Sequence, residues 1–202
     1  NQPSPAFREE ILRNIAELDQ LVDEILLASR LDAREADVGT VELVDLIGLA
    51  AEECARVDAE LDVTAVPEGL EVRGVAKLLR RALRNLLENA RRYSQGDITV
   101  VLQRHDGQAQ LSVLDRGPGV PPALRERIFE PFYRLPGASE RAGGVGLGLA
   151  LVRSIAQRHN GSVRCEDQPD GVGGACFVLR LPLQSPPGTA APAPQRKGTG
   201  AK

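Results

Sequence analysis

Paired cysteines are missing from this chain. Its three, Cys54, Cys165 and Cys176, are odd in number and show neither a Cys-x-x-Cys pair nor a nearby histidine. A disulfide framework and a cysteine-based metal site are therefore both poor readings, and the cytosol fits. Long apolar runs are missing too: none approaches the roughly 18 residues that a membrane span requires. An excess of positive charge is also absent. Lys and Arg number 25 against 28 Asp and Glu, a net charge of −3, which gives none of the basic field that unaided nucleic-acid binding needs. The N-terminus lacks both a starting Met and a signal-peptide pattern, as expected of a chain that begins inside a longer one.

What is present suits one α/β domain with a short appendage, since 42% of the 202 residues are hydrophobic. From Pro5 to about Leu31 the residues Phe7, Ile11, Ile15, Leu18, Leu21, Val22, Ile25 and Leu26 recur at steps of three and four. That spacing predicts one long amphipathic helix whose stripe needs a partner, in a hairpin or a dimeric bundle, or else on the domain that follows. Asp37 to Thr40 reads as a linker, Leu43 to Val57 as a helix and Leu61 to Val66 as a strand closed by Pro67 and Gly69. Val75 to Tyr93 is a second strongly amphipathic helix. Ile98 to Gln103 and Gln110 to Leu114 flank His105-Asp106-Gly107 as a hairpin. A Gly-rich loop, a helix from about Leu147 to His159, and strands near Ser162 to Glu166 and Ala175 to Leu181 complete an α/β sandwich pattern. From Ser185 onward Pro, Gly, Ala and Thr dominate, and disorder is expected over 185–202.

Three constellations carry chemistry. Asn85 and Asn89 are four apart on the helix Val75 to Tyr93, so both amides project from one face, where a carbonyl oxygen can ligate Mg²⁺ and an NH₂ can bond a phosphate. Two solvated or capping amides are the alternative. Asp115 ends a strand beside Gly117 and Gly119, which presents a carboxylate where backbone can approach a flat ligand such as adenine. An Asx-type turn would use the same residues. Gly143 to Gly148 lead directly into an apolar helix, aiming free N–H groups and a positive helix end at an anion such as a triphosphate. The loop is neither a Rossmann turn nor a P-loop, because no strand precedes it and no Gly-Lys-Ser/Thr occurs.

Together and in order, these features resemble the N, G1 and G2 boxes of the nucleotide-binding fold shared by histidine kinases, type II topoisomerases, Hsp90-type chaperones and mismatch-repair ATPases. Ile128-Phe129-Glu130-Pro131-Phe132-Tyr133-Arg134 is similar to the F box of sensor histidine kinases, which selects that branch. The resemblance runs from about Val41 to Pro182 and includes Gly171 to Phe177 as a last glycine box. Leu18 to Leu31 is similar to the second helix of the dimerisation and phosphotransfer hairpin. It implies an α+β two-layer sandwich of the histidine kinase, gyrase and Hsp90 type preceded by one long helix. The segments would be residues 1–38 as part of the hairpin, 39–184 as the ATP-binding domain and 185–202 as a tail.

The same resemblance implies a protein-histidine kinase with ATP and Mg²⁺ as cofactors. Asn89 would ligate Mg²⁺ with Asn85 beside it, Asp115 would read the adenine amine, Tyr93 would stack on the base and Arg92 would lie near the phosphates. Gly117, Gly119, Gly144, Gly146, Leu147 and Gly148 would shape the pocket and its lid. Phe129 and Phe132 would anchor that lid by apolar burial, and Arg134 would meet the γ-phosphate. Implied partners are the receiver domain of a response regulator, and a second copy through the hairpin, with no nucleic acid. Such a domain would be cytoplasmic in an inner-membrane parent, attached through segments upstream.

The family's phosphoaccepting histidine on the first hairpin helix has no counterpart, since only His105 and His159 occur. His105 falls in a hairpin turn and His159 at a helix end, where a capping or solvated role is expected. An accepting histidine upstream of Asn1 would leave this chain unable to autophosphorylate alone. An ATPase of the same fold and a nucleotide-binding scaffold are the rival readings. In such ATPases a Glu four positions before the Mg²⁺-binding Asn activates water, and that position here is Asn85.

Overall fold

A computed structural model describes residues 4–33, 38–136 and 145–183. Within them α1 (Pro5–Asp32) is one helix of 28 residues, started by Ser4, whose Oγ accepts from Phe7 N–H, and by Pro5 in the first turn. Its apolar stripe is only partly covered. Leu31 is buried and Leu27 and Ala28 pack on the core, whereas Phe7, Ile11, Ile15, Leu18, Val22 and Ile25 stand 40–61% exposed. The covered end meets the rest of the chain through α4 and through an ion pair between Glu24, 6% exposed, and Arg81 Nη2 at 2.9 Å.

The elements β1 (Glu42–Asp45), α2 (Leu46–Val57), β2 (Glu60–Asp62), β3 (Glu71–Gly74), α3 (Ala76–Tyr93), β4 (Thr99–His105), β5 (Gln108–Leu114), α4 (Gly148–Arg158), β6 (Ser162–Asp167) and β7 (Ala175–Pro182) follow. Five strands form a sheet in the order β2-β4-β5-β7-β6, parallel only between β2 and β4. Strand alternation builds its two faces. Leu102, Leu111, Val113, Phe177 and Leu179 share one face, and the helices α2, α3 and α4 lie against it. On the other face Arg180 Nε donates to Gln110 Oε1 at 2.9 Å, and Gln110 Nε2 donates to Ser112 Oγ at 3.3 Å. The result is the expected two-layer sandwich with its core between sheet and helices.

The β4–β5 hairpin closes through Asp106 and Gly107 with φ of 49° and 73°, the pair of positive angles that a type I′ turn requires. Three details depart from the sequence reading. Residues 42–45, partly taken as helix, form β1 paired antiparallel with the unforeseen β3. The helix begins only after Asp45, whose Oδ1 accepts from Ile47 N–H at 2.9 Å. The strand expected to reach Val66 stops at Asp62, because Asp62 Oδ1 accepts from both the N–H and the hydroxyl of Thr64 and turns the chain. The three cysteines are buried and unpaired, and burial pushes Cys54 and Cys176 to about 11 and Cys165 to about 12. Asp37 of the expected linker, Gly143, Gly144 and the 185–202 tail lie outside the described residues.

Candidate functional site

Helix α3 is amphipathic on two counts. Leu78, Leu79, Ala82, Leu83, Leu86, Leu87 and Ala90 face the core, and Asn85, Glu88, Asn89, Arg92 and Tyr93, at helical spacing, line one wall of a cavity of about 490 Å³. The loop after β5 supplies Asp115 and Gly119, the start of α4 supplies Gly146, Leu147 and Gly148, and Arg134 lines the rim. Phe177 of β7 and Ile128 give the cavity an apolar side. Nearly all the candidate residues therefore meet in one place. Gly117 stands behind the wall, and Gly144 lies outside the described residues.

Asp115 is 3% exposed, and burial pushes its carboxyl above the usual carboxylate range. Its Oδ1 accepts from Gly117 N–H at 2.8 Å and from Ala175 N–H at 3.3 Å. The Asx turn and the cavity-facing carboxylate, set against each other as alternatives in the sequence, thus coexist in one residue. Asn85 is 4% exposed, and its Nδ2 donates to Gly148 O at 3.1 Å, holding the first residue of α4 against α3. The first-turn N–H groups of α4 lack intrahelical partners by construction, and no side chain caps this helix. A positive helix end therefore faces the cavity. Gly146 makes the turn before it, with φ 81°; a Cβ there would lie 2.8 Å from Tyr133 O.

The segment between the glycine loops is tied beneath the site. Phe129 is 2% exposed and meets Phe177 edge to face at 6.4 Å, with the Arg153 guanidinium 4.8 Å over its ring. Arg153 also pairs with Glu126 at 2.8 Å. Phe132 corrects the expectation of paired anchors. It is 64% exposed at φ 63°, and its backbone N–H donates to Gly146 O at 3.0 Å, so it meets the glycine turn before α4 through main chain and not through apolar burial.

Neither histidine is placed as a phosphoacceptor. His105 ends β4 at the surface beside Asp106. His159, at the end of α4, is half-buried and not solvated: Nδ1–H donates to Ile155 O at 2.7 Å while Nε2 accepts from Val75 N–H at 3.0 Å, and burial lowers its pKa. Residues that sequence reasoning missed are Leu21 and Glu24 of α1, which line the cavity from a helix far away in sequence, and Glu88, hidden between two asparagines. No group of three His, Cys, Asp or Glu side chains that could hold a metal occurs among the described residues. A cation here would draw on ligand oxygens as well as protein ones.

Comparison with known proteins gives a consistent result. Residues 74–185 match the family model for histidine kinase-, DNA gyrase B-, and HSP90-like ATPase. The sensor-like histidine kinase SenX3 of Mycolicibacterium smegmatis is 34% identical over 185 residues, covering 87% of this chain and 47% of that protein. The chain thus spans under half of that relative's length. Among solved structures, the mycobacterial sensor histidine kinase MprB is similar at 33% identity and TM-score 0.61, over 71% of this chain and 97% of that one. Full-length ShkA in complex with AMPPNP is similar at 27% identity and TM-score 0.69, over 96% of this chain and 42% of that one.

Proposed function

The chain belongs to the histidine kinase-, DNA gyrase B- and HSP90-like ATPase family, and from that membership we propose that it is the catalytic part of a sensor histidine kinase. It is an ATP-binding domain. The proposed reaction moves the γ-phosphoryl group of ATP to a histidine outside these 202 residues, for relay to an aspartate of a response regulator. The likeness to the sensor histidine kinases SenX3 and MprB supports this branch of the family, and the likeness to ShkA in complex with AMPPNP supports a nucleotide site.

Each residue has a proposed task. Asp115 Oδ1 is engaged by two N–H groups, which leaves Oδ2 to accept from the exocyclic amine of adenine, with Tyr93 against the ring. The N–H groups at the start of α4, together with Asn85, Arg92 and Arg134, meet the phosphates. Mg²⁺ fits the amide oxygen of Asn89, in a cavity whose described residues form no carboxylate cage, and when bound it would neutralise charge on the phosphates. The imidazole nitrogen of the accepting histidine attacks the γ-phosphorus in line. The bond to the β–γ bridging oxygen breaks, and its electron pair leaves with ADP.

One observation favours transfer over hydrolysis. The position from which a glutamate would activate water is Asn85, an amide without useful basicity that is occupied in holding Gly148. The exposed stripe of α1, from Phe7 to Ile25, supports residues 1–38 as part of a dimerising hairpin and 39–184 as the ATP-binding domain. No helix among the described residues is long and apolar enough to cross a membrane. Attachment of a cytoplasmic domain like this one would come from other segments of the parent protein. The test is phosphotransfer in trans: the chain, Mg²⁺-ATP and the separately produced histidine-bearing hairpin of the parent protein should yield acid-labile, base-stable phosphohistidine. A folded hairpin that stays unlabelled would contradict the proposal.

A further inference from the structure

Asp115 stands one residue beyond β5, where the ladder to β7 ends at Leu114 and Cys176. Its main chain is nevertheless held at both ends. Asp115 N–H donates to Ala175 O at 3.0 Å, and Asp115 O accepts from Gln168 Nε2 at 2.5 Å. The same NH₂ reaches Ala175 O at 3.4 Å. Gln168 directly follows β6, so one amide ties together the ends of three neighbouring strands, β6, β7 and β5. Both partners are carbonyl oxygens, which only the NH₂ can satisfy, and this sets the orientation of the amide.

The rest of that side chain is costly. Gln168 is 5% exposed, and its Oε1 is buried with no hydrogen-bond partner among the described residues. An unmade bond to a buried acceptor opposes folding, so space filling alone would be better served by an apolar residue. What the amide adds is a pair of donors aimed at Asp115 and Ala175. The close approach also requires glycine at 174, with φ 98°, because a Cβ there would lie 1.9 Å from Asp115 O and 3.2 Å from Gln168 Nε2. Gln168 does not itself line the nucleotide cavity, so any effect on a ligand passes through the two cavity residues it holds, Asp115 at 2.5 Å and, more weakly, Ala175 at 3.4 Å.

From this geometry we infer that Gln168 is a positioning residue for base recognition: it clamps the backbone of Asp115 so that the free carboxylate oxygen meets the exocyclic amine of adenine. The inference rests on the reading of Asp115 as the adenine contact. Hydrogen bonds to a base depend steeply on acceptor position, whereas the proposed phosphate contacts come from α3, α4 and Arg134 and do not involve Gln168. Loss of the clamp therefore lowers selectivity for the base and leaves phosphate binding nearly intact.

The experiment compares ATP with inosine triphosphate, in which a carbonyl oxygen replaces the amine, by calorimetric titration of the full 202-residue chain. Gln168→Met and Gln168→Leu are measured beside wild type, with thermal melting to establish folding. The expected result is a preference for ATP reduced by about tenfold, with inosine triphosphate affinity changed by less than about threefold. Parallel loss for both nucleotides, or an unchanged preference, overturns the inference. So does failure of both variants to fold, since the side chain would then serve the sheet as a whole. Asp115→Asn separates the two layers of argument: if it abolishes the preference while the Gln168 variants keep it, only the clamp is wrong, and if it too keeps the preference, the adenine reading of Asp115 fails.

Discussion

The side-chain NH₂ of Asn85 donates to the carbonyl oxygen of Gly148 at 3.1 Å, joining the middle of α3 to the first residue of α4. This contact sets the anion-facing helix end beside the Asn89 wall. Asn85→Ala removes a buried donor and frees that end. ATP affinity is expected to fall about tenfold, which is ~1.4 kcal/mol, with a stability loss of about 1 kcal/mol. Calorimetric titration and denaturant unfolding check the two effects separately.

Asp115 makes function and stability oppose each other. Burial raises its folded-state pKa, so its contribution to stability is present below the unfolded value of about 3.9 and is lost as pH rises through the folded value. At neutral pH the buried charge burdens the ligand-free domain. Asp115→Asn keeps an acceptor for Gly117 and Ala175 and removes that charge, so its Tm should match or exceed wild type at pH 7.5 while ATP binding drops at least tenfold. The gap in Tm should narrow as pH falls toward 4. A variant that binds ATP normally would count against base recognition at this residue.

His159 carries the opposite sign. Its folded-state pKa is lowered because burial disfavours the charged ring, against the opposing hydrogen bond to Ile155 O, and only the neutral ring can accept from Val75 N–H. The stability it contributes is present above the unfolded value of about 6.5 and is lost as pH falls through the folded value. His159→Phe leaves Val75 N–H without its partner and should cost about 1–3 kcal/mol at pH 7.5. Between pH 6.5 and 5 the variant should lose less stability than wild type, which urea unfolding at each pH measures.

ATP turnover by the chain alone should stay below about 1 s⁻¹, the low end of ordinary enzyme rates, because Asn85 offers no base to a water molecule. A continuous phosphate-release assay at saturating Mg²⁺-ATP checks this. Asn85→Glu places a carboxylate at the position where the hydrolytic branch carries one, and should raise turnover in the same assay.

Legibility from sequence tracked how much periodicity each segment carries. The helix of Val75 to Tyr93 and the Asp106-Gly107 hairpin could be read directly, because 18 residues of stripe and a turn with two positive φ angles leave strong local patterns. The strands β1 and β3, four residues each, are too short to show alternation, so residues 43–45 were absorbed into the helix that Asp45 in fact caps. At the site, Asn85, Asn89, Asp115 and Gly146 to Gly148, each ambiguous alone, are legible through their joint order along the chain and the family resemblance it carries, and they line one cavity. Leu21, Glu24 and Gln168 could not, since their roles come from tertiary contacts across 50 residues or more. Phe132 misled because an aromatic in a sequence motif says nothing about the backbone turn that points it outward.

The most direct measurement is a calorimetric titration of ATP into wild type, Asn89→Ala and Asp115→Asn, with and without Mg²⁺, recording free phosphate in the same samples. Binding that Mg²⁺ strengthens, that both substitutions weaken at least tenfold and that releases almost no phosphate is the outcome expected of a kinase domain whose acceptor histidine lies elsewhere. Absence of binding would contradict the nucleotide site, and rapid phosphate release would contradict the kinase assignment.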